Sequence, residues 1–203
     1  MRYICVHSRI GGDKQMSKER FIEIYTRNIF RDGADKLLEA LLKTTDFFDA
    51  PASANHHLSE AGGLCKHSVN VFMRLLQINH AFKGDYSMET LAIVALLHDL
   101  CKFGCYKVEM RNRKNEHGEW EKYPAYTFKE DFCYGSHGAK SVYLIERYMK
   151  LTAKEAVAIN CHMSAFDRTP NDWSIGNAFE QFPLALYLGW ADQAASFIDE
   201  KKD

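Results

Sequence analysis

The sequence predicts an all-α fold, a helical bundle into which one small β-hairpin is inserted near residues 106–128. On both sides of that segment, apolar residues recur at the three- and four-residue spacing of amphipathic helices. Within it, two stretches alternate between apolar and polar residues and flank the turn-like sequence Asn115–Gly118. The run Leu91–Leu97 is apolar throughout and predicts a helix that is buried on all sides.

Two amphipathic helices are predicted before the first long loop. Residues 17–30 form the first helix, with Ser17 as the candidate N-terminal cap. Asp35–Phe47 form the second helix, because their leucines recur at helical spacing. A Gly-Gly pair then ends the loop and precedes another helix, which carries His67.

Three further amphipathic segments follow the hairpin. The first is Ser136–Glu146, and the second runs from Thr152 to His162. Thr152 and Glu155 have the spacing of a capping box, which predicts that the second of these helices begins there. The third segment, Leu184–Phe197, carries an aspartate on its apolar face.

Length and composition are those of a single folded domain. The chain has 203 residues, of which 46% are hydrophobic and 26% charged, and its net charge is −1. That charge gives no broad basic field for nucleic acid or a membrane surface, and no apolar run is long enough to span a bilayer. We expect residues 17–203 to form one domain. Residues 1–16 are expected to be a flexible arm or the product of an upstream start codon.

Six cysteines are scattered through helical segments, without the paired spacing of a zinc knuckle. A chain of this size can bury a substantial core, so it does not need disulfides for stability. We therefore expect reduced cysteines and a cytoplasmic protein.

The pair His98–Asp99 follows the apolar run and is the most informative local feature. An ionised aspartate in a buried helix is costly unless it has a partner. A metal ion would satisfy both side chains, because imidazole and carboxylate are good ligands for it. For an isolated pair, the simpler interpretation is a hydrogen-bonded core histidine beside a helix-capping aspartate.

Side chains of the same types lie on apolar helix faces elsewhere in the chain. His67, for example, shares its face with Leu64 and Val71. One such residue is usually a satisfied polar group of the core, whereas several in succession favour a metal centre. The candidate ligands are His67, His98, Asp99, His137, His162 and Asp192.

This ordered set, with the pattern His98-Asp99-x-x-Lys102, resembles the HD-domain superfamily of metal-dependent phosphohydrolases. The stretch Asn55–Ser68 is similar to that of small bacterial HD hydrolases and of the HD domain attached to some 3′–5′ exoribonucleases. The resemblance covers most of the chain and implies an HD-domain helical bundle. It also implies that the six side chains hold one or two divalent transition-metal ions, bridged by Asp99.

The reaction implied is hydrolysis of a phosphomonoester or phosphodiester bond of a nucleotide or related small phosphate ester, by metal-activated water. Asp99 and Lys102 are the candidate catalytic residues, and His57 and Arg168 are the candidate substrate contacts. An ordinary loop histidine is an equally good interpretation of His57, and a solvated or snorkelling lysine is the alternative for Lys102. Imidazole-rich sites suit Fe, Mn, Co, Ni or Zn better than calcium, and the sequence does not choose among them.

Two other functions stay open at the level of sequence. One is a di-iron oxygenase of the HD type, and the other is a non-catalytic, metal-stabilised, nucleotide-binding regulatory module. The expected partner is a small phosphorylated molecule, and no membrane partner is expected. Nucleic acid is a less favoured partner, suggested only by the basic residues of Tyr106–Lys114. The sequence does not indicate an oligomeric state.

Overall fold

The computed structural model describes residues 14–129, 134–163 and 174–201. Within these ranges the chain forms eight α-helices and one antiparallel two-stranded sheet, so the prediction of a helical fold with one inserted hairpin is confirmed. Among the described helices, none has both the length and the apolar character needed to cross a membrane. The elements in chain order are α1 (Lys14–Asn28), α2 (Ala34–Lys43), α3 (Gly63–Ala81), α4 (Met88–Leu97), a 3₁₀ turn (Leu100–Lys102), β1 (Tyr106–Lys114), β2 (Trp120–Phe128), α5 (His137–Glu146), α6 (Ala153–Cys161), α7 (Ser174–Gln181), α8 (Pro183–Ala194) and a π-helical turn (Ala195–Asp199).

Helix α4 lies at the centre of the bundle. Every residue of Leu91–Leu97 is buried, as the apolar run predicts, and the helix packs against α1, α3 and α6. Ser87 caps its N-terminus by accepting a hydrogen bond from the backbone N–H of Thr90 at 3.2 Å. Helix α8 packs against α3 and α6, and α5 packs against α6. Four helices are thus available to surround the C-terminal end of α4, where His98 and Asp99 lie.

The predicted start of the first helix is wrong by three residues. Helix α1 begins at Lys14, so Ser17 lies inside the helix and does not cap it. Lys14, in this earlier turn, forms an ion pair with Asp49, and no local sequence signal indicates that long-range contact. The predicted arm, residues 1–16, therefore includes three helical residues, and the rest of it lies outside the described residues.

The predicted end of the second helix is also wrong. Helix α2 stops at Lys43, whereas the leucine spacing predicts that it continues to Phe47. Phe47 lies instead in a turn, yet it is fully buried, with its ring centroid 5.1 Å from that of Phe21. Phe47 therefore belongs to the core, as its apolar character indicates, but not to the helix.

The hairpin has the predicted bounds and joins two segments that carry candidate site residues. Its register runs from Tyr106 opposite Phe128 to Lys114 opposite Trp120. It begins four residues after Lys102 and is followed by α5, whose first residue is His137. The hairpin is thus an insertion between two parts of the same candidate site.

A buried ion pair ties α4, α6 and the loop after α1 together. Glu155, in the capping box of α6, is fully buried and accepts hydrogen bonds from two Arg31 nitrogens, at 2.6 and 3.1 Å. It also accepts hydrogen bonds from the Thr90 hydroxyl and from the backbone N–H of Thr152. Burial alone would raise the pKa of Glu155, but these donors outweigh that effect and lower it.

We predict that Glu155→Gln lowers the free energy of unfolding by about 3–5 kcal/mol at neutral pH, because Arg31 loses its buried partner. Since the folded-state pKa of Glu155 lies below its ordinary value of 4.5, the contribution is present above that value and is lost as the pH falls further. Urea unfolding at neutral and acidic pH measures both effects. The control is Glu39→Gln, because the ion pair of Glu39 with Lys43 is exposed to solvent and should contribute little to stability. Equal losses of unfolding free energy in the two variants would contradict the assignment of Glu155 to a stabilising buried ion pair.

Candidate metal centre

The structure brings all six candidate ligands together at the end of α4. They come from five helices or from the first two residues after one, so no local segment could form the cluster alone. Three of the histidines are fully buried, and His137 keeps 30% of its side chain exposed. The members are His67 on α3, His98 and Asp99 after α4, His137 on α5, His162 after α6 and Asp192 on α8.

Asp99 lies at the centre of the cluster, and its two oxygens face different partners. Oδ1 is 2.9 Å from His137 Nε2 and 3.5 Å from His162 Nε2. Oδ2 is 3.5 Å from His67 Nε2 and 3.4 Å from His98 Nε2. The two oxygens of the carboxylate therefore face different pairs of histidines.

Asp192 lies close to His67, His98 and His162. Its Oδ1 lies 3.1 Å from His67 Nε2, and the Nε2 atoms of His67 and His98 are 3.3 Å apart. One donor atom from each of His98, His162 and Asp192 lies within 4.8 Å of the others. These buried groups could hold a metal ion.

The buried histidines present Nε2 to the cluster because each Nδ1 is engaged elsewhere. His98 and His162 direct Nδ1 at the backbone carbonyl three residues earlier, at 2.9 and 2.6 Å. His67 directs Nδ1 at both carboxylate oxygens of Glu200, each 3.1 Å away. A nitrogen that faces such an acceptor carries the hydrogen, so a neutral ring leaves a lone pair on Nε2. Within the described residues, His162 Nε2 is buried and has no hydrogen-bond partner. These orientations fit a metal ion, because a ligating histidine usually donates its other ring N–H to a carboxylate or a backbone carbonyl.

The charges of the cluster also fit a cation. Three carboxylates, those of Asp99, Asp192 and Glu200, are at most 14% exposed, and Lys102 provides one ammonium group among them. Neutral histidines would leave two negative charges uncompensated in a buried place, which is very costly. Without a metal ion, a proton on a histidine balances part of this negative charge. Burial lowers the pKa of His67, but the carboxylates of Glu200 and Asp192 outweigh it and raise that pKa to about 10.

Lys102 is paired with Asp99, which contradicts the alternative of a solvated lysine. Its Nζ lies 2.6 Å from Asp99 Oδ2, and its side chain is mostly buried. Burial lowers the pKa of Lys102, but Asp99 outweighs that effect and raises it. Burial would likewise raise the pKa of Asp99, but Lys102 and His98 hold it well below its usual range. Both groups are therefore charged at neutral pH.

His57 lies beside the cluster. Its ring centroid is 4.9 Å from that of His67, and its Nε2 is 3.4 Å from the Ser196 hydroxyl. Burial lowers the pKa of His57 to about 4, so the ring is neutral at neutral pH and cannot act there as a cation for phosphate. Arg168, the other predicted substrate contact, lies outside the described residues.

Glu200 and Asn70 belong to the cluster but were not predicted from the sequence. Asn70 donates to Glu200 at 2.9 Å, and Glu200 accepts from His67. Asn70 follows His67 by three residues on the same helix face, and that spacing could have indicated it. Glu200 lies in the charged stretch Asp199–Asp203, which is typical of a solvated segment and gives no such signal.

We predict that a divalent metal ion displaces at least one proton when it binds at about pH 8. An ordinary histidine is neutral there, but His67, with a pKa of about 10, is protonated and must lose the Nε2 proton to coordinate. Metal affinity should therefore rise with pH until that pKa is reached. Calorimetry in two buffers of different ionisation enthalpy counts the protons released. Affinity that does not change with pH, with no proton release, would show that His67 is not a ligand.

Comparisons with protein-family models, with curated proteins and with solved structures returned no match. Functional assignment therefore depends on the residues and geometry of this chain. Two observations indicate the chemistry of the site, because both fit a bound cation. They are the inward-facing Nε2 atoms and the excess of buried negative charge.

Proposed function

We propose that this protein is a metal-dependent phosphohydrolase of the HD-domain type, acting on a nucleotide or a related small phosphate ester. The observation that carries the proposal is the convergence of Nε2 atoms from buried histidines on two carboxylates. Hydrogen bonds alone satisfy such a cluster poorly, because it combines inward-facing lone pairs with an excess of negative charge. A divalent cation would satisfy both.

The different histidine partners of the two Asp99 oxygens support two ions in preference to one. His67, His98 and Asp192 would hold the first ion together with Asp99 Oδ2. His137 and His162 would hold the second together with Asp99 Oδ1. The mixture of imidazole and carboxylate donors suits Fe, Mn, Co, Ni or Zn.

Bound metal ions would lower the pKa of a water molecule and offset charge on the phosphate oxygens. The protein's own part is to hold the donors rigidly and to limit contact with water. His67, His98 and His162 are buried and fixed through Nδ1, so their Nε2 atoms are oriented in advance. His137 is more exposed than these three, which favours the approach of substrate from its side of the cluster.

Lys102 has the position to change partners during the reaction. In the described structure its ammonium group pairs with Asp99 Oδ2. Metal ions on Asp99 would weaken that attraction and leave the ammonium free to contact a substrate phosphate as a point charge. The side chain keeps 13% exposure, so it borders the region that a substrate can reach.

The first experiment combines metal analysis of the purified protein with a panel of phosphomonoester and phosphodiester substrates. Hydrolysis that requires a transition metal would support the proposal. Oxygen consumption with an organic substrate, together with redox-active iron, would identify the oxygenase alternative. Bound metal and nucleotide without turnover of either kind would identify the regulatory module.

We predict different effects for Asp99→Ala and Lys102→Met. Asp99→Ala should remove metal and abolish hydrolysis, because Asp99 is proposed to bridge both ions. Lys102→Met should keep the metal content, since removing a cation cannot weaken cation binding electrostatically, but should slow turnover on the order of a hundredfold. Metal stoichiometry and steady-state rates measure the two effects.

His80→Ala is the control for both variants, because His80 is an exposed residue at the end of α3 and should change neither quantity. Full metal content and full activity in Asp99→Ala would refute the metallohydrolase proposal. Loss of metal in Lys102→Met would instead assign Lys102 to the metal site.

A further inference from the structure

Glu200 is a buried carboxylate at the far end of the described chain. It directly follows the π-helical turn, and its side chain is 0% exposed. The backbone N–H of Glu200 donates to the Ala195 carbonyl at 3.0 Å, which closes the wide turn and orients the residue toward α3. Single π-turns within helical segments often occur at functional sites.

The partners of Glu200 are unusual for a buried acid. Both of its oxygens lie 3.1 Å from His67 Nδ1, and Asn70 donates to one of them at 2.9 Å. His57 Nε2 lies 3.8 Å away. Among the ion pairs of the described residues, Glu200 pairs with histidines and with no lysine or arginine. A buried carboxylate in this position is costly unless positive charge lies close to it, and a cation bound at His67 Nε2 would supply that charge.

Asp199, the acidic residue that precedes Glu200, contacts an arginine and not the histidines of the cluster. Asp199 forms a two-point ion pair with Arg74, in which Arg74 Nε donates to Asp199 Oδ2 at 2.7 Å. The two consecutive carboxylates therefore have different partners. Asp199 pairs with a partly exposed arginine, whereas Glu200 contacts a buried histidine. The first provides a matched control for the second.

We infer that Glu200 is a positioning residue of the metal centre, an inference that depends on the metal site of the proposed function. Glu200 holds His67 Nδ1–H, fixes the ring with Nε2 directed at Asp99 and Asp192, and increases the electron density that Nε2 offers to a divalent ion. Carboxylate groups behind a ligating histidine orient it and strengthen it as a ligand. Asn70 fixes the carboxylate in turn.

The test compares Glu200→Gln with Asp199→Asn, each of which replaces a carboxylate by an amide of the same shape. Co²⁺ is the probe, because its visible absorption reports the geometry and the donors of the site. Glu200→Gln should lower Co²⁺ affinity about 10- to 100-fold and shift the absorption bands, as is typical for loss of a partner behind a ligand. Asp199→Asn should keep the parent affinity and spectrum, even if its melting temperature falls.

Asn70→Ala is a second variant, which leaves the carboxylate and removes the side chain that fixes it. It should lower Co²⁺ affinity by a smaller factor than Glu200→Gln, and it keeps the inference testable if Glu200→Gln does not fold. Parent-like affinity and spectrum in Glu200→Gln, or in Asn70→Ala if only that variant folds, would overturn the role of Glu200 and leave the metal centre standing. Failure of the parent protein to bind Co²⁺ would overturn the proposed function and this inference with it.

Discussion

The burial of three carboxylates against one ammonium group is the constraint on which the rest of the site depends. Asp99, Asp192 and Glu200 lie in the interior with Lys102 as their one buried ammonium partner among the described residues. The arrangement is stable only if a further positive charge enters the cluster. A proton on His67 can supply one such charge, and a divalent cation can supply two.

The scaffold explains why these charges can meet at all. Helix α4 is apolar on all sides, so its burial carries the adjacent His98 and Asp99 into the centre of the bundle. Helices α3, α5, α6 and α8, or the residue that directly follows one of them, each contribute one further metal-type ligand to the cluster. The ion pair of Arg31 with Glu155 joins α6 to the rest of the core and thereby helps to fix the position of His162.

The features that could be predicted from sequence are those with local periodicity. The buried helix α4, the hairpin and the capping box of α6 all follow from patterns within a few residues. The start of α1 and the end of α2 could not be predicted, because no local pattern marks them. The first turn of α1 contacts the distant Asp49, and Phe47 is buried in a turn after α2. Glu200 was missed for a similar reason. Its burial depends on a π-turn and on contacts with α3, which the charged sequence around it does not indicate.

A crystal structure of the protein grown with Zn²⁺, with an anomalous difference map, tests the central claim most directly. We expect a peak surrounded by His67 Nε2, His98 Nε2 and one oxygen each from Asp99 and Asp192, with bond lengths of about 2.0–2.2 Å. A second peak on the side of His137 and His162 would establish the two-ion form. A map with no peak inside this cluster at saturating Zn²⁺ would contradict the claim that its buried charge is balanced by a metal ion.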